Sequence, residues 1–295
     1  MSTATIRLMQ PEDVAEVSRL TETVSWNFGQ EVIGALFESS PEGSFIAELQ
    51  GKVIGVVMGF NLSEEEAFAG IWVVSKMHRG QRIGTRLWQK MKEYIGDRNL
   101  GIFSVAERVE PNKRLGFTVA SWNVRHVSGT IATEKIKLSE DCIVSAFPSQ
   151  GVQFDALIQY DTKIHSIERE RFLRAWIEGK STITLVALGR AGEIVGYGVI
   201  KRDSNNTTLI GPLYGETPTI MKTLLVSLIG KTTFGETVDM WAPAESEVMQ
   251  ELLTENKSTL SEVHAEVTRM FYRHDVKAPQ EKIFAIASAA VAHHC

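Results

Sequence analysis

The chain contains two stretches that recur later in the same order. The segment G-K-V-I-G at 51–55 matches G-E-I-V-G at 192–196, and each lies between two apolar runs. Farther on, Ile71–Met91 corresponds to Leu209–Ile229. The offsets are similar, 141 and 138 residues, and ordered matches at nearly one offset are typical of a duplicated fold. The length of 295 residues is enough for two domains.

Apolar periodicity predicts alternating strands and helices in the first half. A helix opens at Pro11, and a second is indicated by apolar residues at 83, 87, 91, 94 and 95, which fall on one helical face. A short helix is expected at Pro111–Leu115. The predicted strands are Ile6–Leu8, Ser44–Leu49, Val53–Phe60, Ala67–Val74, Ile102–Val105 and Phe117–Val127.

The second half follows a polar linker at Ser128–Asp141. It is predicted to contain a strand at Ile143–Ser145, an irregular stretch, a helix around Glu168–Trp176 and strands at Ile183–Leu188 and Ile194–Ile200. The alternation of strands and helices predicts an α/β protein with domains at 1–130 and 140–295.

The segment S-K-M-H-R-G-Q-R-I-G at 75–84 lies between a predicted strand and a predicted helix. Gly80 and Gly84 allow close approach to a ligand, and the loop N–H groups with the helix N-terminus form an anion site. Arg79 and Arg82 add positive charge to a chain of net charge −5. The segment is neither a Walker loop nor a G-x-G-x-x-G motif. It indicates a phosphate or pyrophosphate site, with a solvated basic turn as the alternative.

The stretch V-S-K-M-H-R-G-Q-R-I-G-T-R-L-W at 74–88 resembles the cofactor motif of the GNAT N-acetyltransferases, Q/R-x-x-G-x-G/A, and its helix. Arg79 falls on the Q/R position and Gly84 on the last position, whereas Arg82 replaces the usual first glycine. The segments I-R-L-M-Q-P-E-D (6–13) and R-L-G-F (114–117) are similar to the family's opening strand and its K-L-G-F signature.

Further segments are similar to a GNAT subgroup with a C-terminal acetyltransferase-like domain: Trp26-Asn27, Trp88, R-x-x-F-L (169–173), Trp176, I-G-P-L-Y (210–214) and T-R-M (268–270). The resemblance implies two tandem GNAT-like domains, each a twisted mixed sheet flanked by helices. It also implies direct acetyl transfer from acetyl-CoA to an amine of a small molecule or peptide. The backbone of Val74 would hold the pantetheine arm, and the pyrophosphate would be held by the amides of Arg79, Gly80, Gln81, Arg82, Ile83, Gly84 and Thr85.

The family's positions for the general acid and base are filled by other residues in this sequence. The family often places a tyrosine four residues before the glycine of L-G-F, but this position is Asn112, which cannot act as an acid. The strand F-A-G-I-W-V-V lacks the glutamate that many members carry. Glu107 is the candidate base, with a solvated surface carboxylate as the alternative. Trp26 and Asn27 are candidates for the acceptor wall, with packing as the alternative.

The second half is expected to have the fold without the cofactor. The counterpart of R-G-Q-R-I-G is G-E-T-P-T-I at 215–220. Glu216 would repel an anion there, and Pro218 lacks a backbone donor. This half is therefore expected to dock on the first, covering its sheet edge and forming one wall of the acceptor site.

Composition limits the partners and the compartment. A net charge of −5 disfavours nucleic acid. Cys142 and Cys295 make no disulfide framework, and the apolar stretches are shorter than the ~20 residues of a membrane span. The adjacent His293, His294 and Cys295 cannot surround a metal. A cytoplasmic protein without metal or membrane contact is expected. The rival hypothesis is a non-catalytic acetyl-CoA-binding sensor or scaffold, motivated by Asn112 and Arg82.

Overall fold

The first half contains the predicted strands and helices, with ends shifted by a few residues, and a further helix at Gln30–Ser39 that was not predicted. The computed structural model describes residues 3–24, 26, 28–149, 151–202, 208–263 and 266–288. The helices of this half are α1 (Val14–Glu22), α2 (Gln30–Ser39), α3 (Ile83–Ile95) and α4 (Val109–Arg114). Its strands are β1 (Thr5–Leu8), β2 (Ser44–Leu49), β3 (Lys52–Asn61), β4 (Glu66–Val74), β5 (Asn99–Val105) and β6 (Val119–Gly129).

The second half begins after residues 130–142, which contain no helix or strand. Its helices are α5 (Phe154–His165), α6 (Glu170–Ile177), α7 (Pro218–Ile229) and α8 (Glu247–Glu255). Its strands are β7 (Ile143–Phe147), β8 (Thr182–Leu188), β9 (Ile194–Arg202), β10 (Thr208–Gly215), β11 (Val238–Pro243), β12 (Leu260–Glu262), β13 (Val267–Phe271) and β14 (Ile283–Ala285).

Helix α5 occupies the stretch that was expected to be irregular, and that expectation was wrong. Its buried face includes Tyr160, Asp161 and His165 beside apolar residues. Polar residues on the buried face interrupt the apolar period that marks an amphipathic helix in sequence. The helix is therefore held by a buried polar network as well as by apolar packing.

Within the described part of the chain, the strands of both halves join in one sheet of fourteen strands. The order along its main path is β1-β2-β3-β4-β5-β13-β6-β11-β10-β9-β8-β7. Strand β13 of the second half lies between β5 and β6, pairing Val267 with both Val105 and Val124. Strand β6 of the first half in turn pairs with β11. The α/β class is confirmed, and the two expected sheets are joined edge to edge through these strands, which covers edges that would otherwise expose unpaired backbone groups.

Helices cover both faces of the sheet. On one face, Leu87 and Met91 of α3 pack on the first half, and α7 and α8 pack on the second. On the other face, α1, α2, α5 and α6 share one core that includes Val17, Ile33 and Trp176. The halves are thus joined by packing as well as by strand pairing. Among the described residues, no helix has the length and apolar character needed to cross a membrane.

Candidate functional site

Strands β4 and β5 separate partway along their length. Their parallel pairing covers Glu66–Ala69 and Asn99–Ile102. In the pairing of β4 with β3, Val57 pairs with Trp72 and Gly59 with Ala69. Residues 70 and 71 of β4 therefore lie opposite a single residue of β3, Met58. This β-bulge bends β4 where its pairing with β5 stops. The result is a gap between the C-terminal ends of two parallel strands.

The predicted anion loop lies at the end of this gap. Val74 ends β4, a 3₁₀ turn covers Lys76–His78, and α3 begins at Ile83. Gly80 has a positive φ of 78°, and a Cβ added there would meet no atom within 4 Å. The first helical bond that leaves the loop runs from the Arg86 N–H to the Arg82 carbonyl, at 3.1 Å. The amides of residues 80–85 precede this bond and are available to an anion, whereas the Arg79 N–H donates to the Lys76 carbonyl at 3.5 Å.

Arg82 is the N-cap of α3 and has a left-handed backbone, with φ of 60° and ψ of 13°. Its side chain makes no capping hydrogen bond. Glycine adopts this conformation at little cost, whereas other L-residues are disfavoured there. The motif that this segment resembles has a glycine at this position, and the left-handed backbone gives a physical reason for that glycine. The arginine keeps the loop conformation and adds a charge.

Arginine side chains also brace the loop. The Arg79 Nε–H donates to the Val74 carbonyl at 3.1 Å, and the Arg86 guanidinium donates to the Ala4 carbonyl at 2.9 Å. The bond from Arg79 uses one of the two lone pairs of the Val74 oxygen. Residues 79–82 and Thr85 are exposed, while Ile83 is buried. Apart from the buried Ile83, the sequence-predicted cofactor residues are exposed or half-buried at the end of β4.

An aromatic cluster fixes α3 against β4 beside this loop. Trp72 stacks on Trp88 with ring centroids 4.7 Å apart, and its Nε1–H donates to the Gly84 carbonyl at 3.2 Å. Phe117 meets Trp88 edge-on at 6.0 Å, and Tyr272 packs on Phe117 at 4.3 Å. Tyr272 comes from the second half, so its place here could not be predicted from local sequence.

The two catalytic candidates differ in their surroundings. Glu107 is exposed in the 3₁₀ turn Ala106–Arg108 that follows β5. Asn112, on α4, donates its side-chain N–H to the hydroxyl of Ser104 at 2.9 Å. Ser104 was not singled out in the sequence, because one serine in a short strand carries no recognisable signal. The Ser104–Asn112 contact makes the C-terminal end of β5 polar.

The predicted acceptor residues are only partly described. Trp26 is 38% exposed and meets Phe28 edge-on at 6.0 Å. Asn27 lies outside the described residues, as do His293, His294 and Cys295. The acceptor wall at Trp26 and Asn27 stays a prediction.

The second half repeats the bulge and the strand separation. Ile210 pairs with Ile200 and Leu213 with Gly198, so that Gly211 and Pro212 form a bulge in β10. Pairing of β10 with β11 covers Thr208–Leu209 and Val238–Asp239. The gap that follows corresponds to the one between β4 and β5.

The loop after β10 is much shorter than the loop after β4. Val74 pairs with Gly55 and Gly215 with Gly196, an offset of 141 residues. The helices begin at Ile83 and Pro218, an offset of 135. The loop of eight residues after β4 thus corresponds to a loop of two residues, Glu216 and Thr217. The offset of 138 residues expected from the sequence lies between the observed offsets of the strands, 141, and of the helix starts, 135. Thr217 caps α7 by accepting from the Ile220 N–H at 3.3 Å, which uses a donor that an anion would need.

Strand β14 lies in the gap of the second half. Leu213 and Tyr214 of β10 pair with Ala285 and Ile283. On the other side, the Ile286 N–H donates to the Trp241 carbonyl of β11 at 2.7 Å. A segment of the chain itself therefore occupies the slot that is open between β4 and β5.

A buried ionic network supports α5 and α6. Arg169 binds both carboxylate oxygens of Asp161, at 2.7 and 2.8 Å, and the Tyr197 hydroxyl donates to the same carboxylate at 2.5 Å. Burial by itself would raise the pKa of Asp161, but Arg169, with His165 and Tyr197, holds it below its ordinary value. The network is structural, because Asp161 and Arg169 are 1% and 6% exposed.

A bulged, splayed strand pair that leads into a helix is present in two copies within one mixed sheet, and the first copy has a glycine-containing loop between strand and helix. This arrangement defines a tandem acyltransferase fold. Residues 11–115 match the model of the acetyltransferase (GNAT) family, and residues 157–285 match that of an acetyltransferase (GNAT) domain. The chain therefore belongs to the GNAT family and carries two GNAT domains in tandem, as the sequence resemblance predicted. Membership of this family supports an acyltransferase function.

Individual proteins agree with this assignment. A putative acetyltransferase from Pyrococcus horikoshii has a TM-score of 0.76 at 19% identity and covers 98% of this chain and 96% of its own. A tandem GNAT protein from the clavulanic acid biosynthesis pathway has a TM-score of 0.61 at 12% identity, covering 91% of this chain and 98% of its own. The holothin acyltransferase of Pseudoalteromonas sp. is 24% identical over 218 residues, 74% of this chain and 71% of that protein.

Proposed function

We propose that the protein transfers an acetyl group from acetyl-CoA to an amine of a small molecule or peptide. The observation that carries the proposal is the loop at 75–82, whose glycine-containing backbone and helix N-terminus open onto the β4–β5 gap. The loop amides and Arg79 and Arg82 would hold the pyrophosphate, since N–H groups at a helix N-terminus favour phosphate oxygens. The backbone at Val74 would guide the pantetheine arm into the gap.

The residues present fit such a substrate. The space next to Gly80 is open, and the loop backbone there is exposed. Beyond Ala69, β4 offers backbone N–H groups that β5 does not pair. A fixed backbone donor at the thioester oxygen stabilises the charge that develops during attack by the amine. The attacking nitrogen loses a proton to solvent or to Glu107, and the thiolate takes one from water.

The division of labour between the halves is part of this proposal. Residues 1–130 would bind the donor, and residues 140–295 would complete the sheet and form one wall of the acceptor site. The short Glu216–Thr217 loop and the position of β14 support a second half without a cofactor. Strand β13, between β5 and β6, supports its docking role.

The test has two stages. Calorimetry with acetyl-CoA measures binding, and release of free CoA thiol over a panel of small-molecule and peptide amines measures transfer. Acetyl-CoA should bind, and at least one amine should raise thiol release above hydrolysis. Propionyl-CoA and longer acyl-CoA donors in the same assay show whether the donor is the acetyl thioester. No binding of any acyl-CoA would contradict the proposal.

The second candidate function is a non-catalytic acetyl-CoA-binding sensor or scaffold. It is favoured by Asn112, whose amide has no titratable proton, and by the exposed position of Glu107. Both functions require binding of acetyl-CoA. Binding with no thiol release above hydrolysis over the whole amine panel would favour the sensor.

A further inference from the structure

The C-terminal end of β5 carries one polar side chain on the face that packs against α3. Leu100 and Ile102 lie in the core with Leu87 and Met91 of that helix. Side chains two residues apart share a face of a strand, so Ser104 points to the same side. Ser104 is 1% exposed. It lies beyond Ile102, where the pairing of β5 with β4 has stopped.

Ser104 joins β5 to α4 through Asn112. Its hydroxyl accepts the Asn112 N–H at 2.9 Å and donates to the Val105 carbonyl at 3.1 Å. A side-chain amide has two N–H bonds, and this contact uses one of them. The contact therefore fixes the direction of the remaining N–H of Asn112.

We propose that Ser104 is a positioning residue, which holds the second N–H of Asn112 toward the sulfur of the departing CoA. This rests on the proposed acetyl transfer. The amine nitrogen bonds to the thioester carbon, the carbon–sulfur bond breaks, and its electron pair stays on sulfur. Asn112 stabilises the resulting thiolate by a hydrogen bond and transfers no proton to it. The amine proton goes to solvent, and the thiolate is protonated by water.

The physical reason is the preference of an anion for a preorganised donor. A hydrogen bond to the charged form lowers the pKa of the group that carries the charge. If the amide rotated freely, part of this stabilisation would be lost in orienting it. Ser104 removes that freedom because its hydroxyl is fixed by the backbone of β5.

The first test measures the pKa of the CoA thiol in its complex with the full-length protein, from the ultraviolet absorbance of the thiolate. Ser104→Ala should raise this pKa by about one unit, which corresponds to a tenfold change in equilibrium. Ser104→Thr keeps the hydroxyl and should retain the wild-type value. Ser40→Ala is the matched control, because Ser40 is a buried serine at the C-terminal end of α2 that donates to the Gly59 carbonyl of β3 at 2.8 Å.

The second test is kinetic, with acetyl-CoA and the most active amine of the panel, or water if no amine is active. Ser104→Ala and Asn112→Ala should each lower kcat about tenfold, with the KM for acetyl-CoA within about twofold of wild type. The double variant should show no further loss, because both changes remove one interaction.

The outcomes separate this inference from the function on which it rests. If wild type binds no CoA, the proposed function fails and the inference falls with it. If wild type binds and turns over acetyl-CoA while Ser104→Ala leaves the thiol pKa and kcat unchanged, the inference alone is overturned. A rise in KM without a change in kcat or thiol pKa would also overturn it.

Discussion

Gly211 and Ile286 lie in direct backbone contact: a Cβ on Gly211 would overlap the carbonyl oxygen of Ile286. Gly211 is in the β10 bulge, and Ile286 follows β14. The glycine therefore makes room for the C-terminal strand in the gap of the second half. A side chain at this position would be incompatible with the strand as it lies.

Gly211→Ala is expected to displace the segment after β14. Forcing a methyl group into a packed site costs about 1–3 kcal/mol in the free energy of unfolding. Amide hydrogen exchange at Ile286 should accelerate, because its bond to the Trp241 carbonyl would break. Gly34→Ala is the control, since a Cβ there has open space and alanine favours a helix. Unchanged exchange at Ile286 would show that the contact does not hold the strand.

Gly84→Val is expected to weaken binding of CoA by about 2 kcal/mol or more, of the order of a lost charge-assisted hydrogen bond. A Cβ at residue 84 would lie 3.5 Å from Trp72 and Val74, so Gly84→Ala should fit the protein and lose less affinity. Calorimetry gives the affinities, and thermal unfolding checks that both variants fold. Equal affinity for Gly84→Val and wild type would refute the placement of the pyrophosphate.

One acetyl-CoA is expected to bind per chain. Glu216 and Thr217 form too short a loop to surround a pyrophosphate, and Glu216 is paired with Lys282 at 2.6 Å. Pro218, the first residue of α7, has no N–H to offer. Equilibrium titration of the full-length protein measures the stoichiometry. Two equivalent sites per chain would contradict the proposal that the second half does not bind the cofactor.

Arg82→Gly is expected to stabilise the protein by about 1 kcal/mol, because the left-handed conformation costs a non-glycine residue about that much. Gln81→Gly is the matched control, because the neighbouring residue Gln81 does not have a positive φ. At residue 81, glycine loses more conformational entropy on folding than glutamine does and relieves no left-handed strain. The free energy of unfolding should therefore fall by about 0.5–1 kcal/mol. Denaturant unfolding of both variants provides the comparison, and a similar loss in both would argue against strain at Arg82.

Asp161→Asn is expected to destabilise the protein by about 3–5 kcal/mol at neutral pH, because it leaves Arg169 buried without its anion. Folding lowers the pKa of Asp161. The contribution of this carboxylate to the free energy of unfolding is therefore complete above its unfolded pKa, near 3.8, and is lost as the pH falls through its pKa in the folded protein. The difference between wild type and variant should therefore shrink below about pH 3.8. Asp141→Asn, at an exposed pair with Arg190, should change little. A difference that stays constant with pH would exclude this linkage.

Much of the fold could be predicted because its signals are local. The period of apolar residues at 83, 87, 91 and 95 places α3, and the paired glycine turns reveal the duplication. The loop at 75–84 was recognisable for the same reason, since its glycines and arginines act on the backbone around them. Helix α5 was missed because Asp161 and His165 break its apolar pattern. The partners of Asp161 lie on other elements, Arg169 at the start of α6 and Tyr197 on β9.

What the sequence determined by itself is therefore the type and order of most elements up to α7, the duplication and the composition of the anion loop, whereas α2 and α5 were not predicted. Tertiary structure decided which strands pair across the halves, because strand pairing depends on partners far apart in the chain. It placed β13 between β5 and β6, brought Tyr272 to the aromatic cluster, and put β14 into the second gap. The contact between Ser104 and Asn112 likewise exists because α4 folds back over the end of β5.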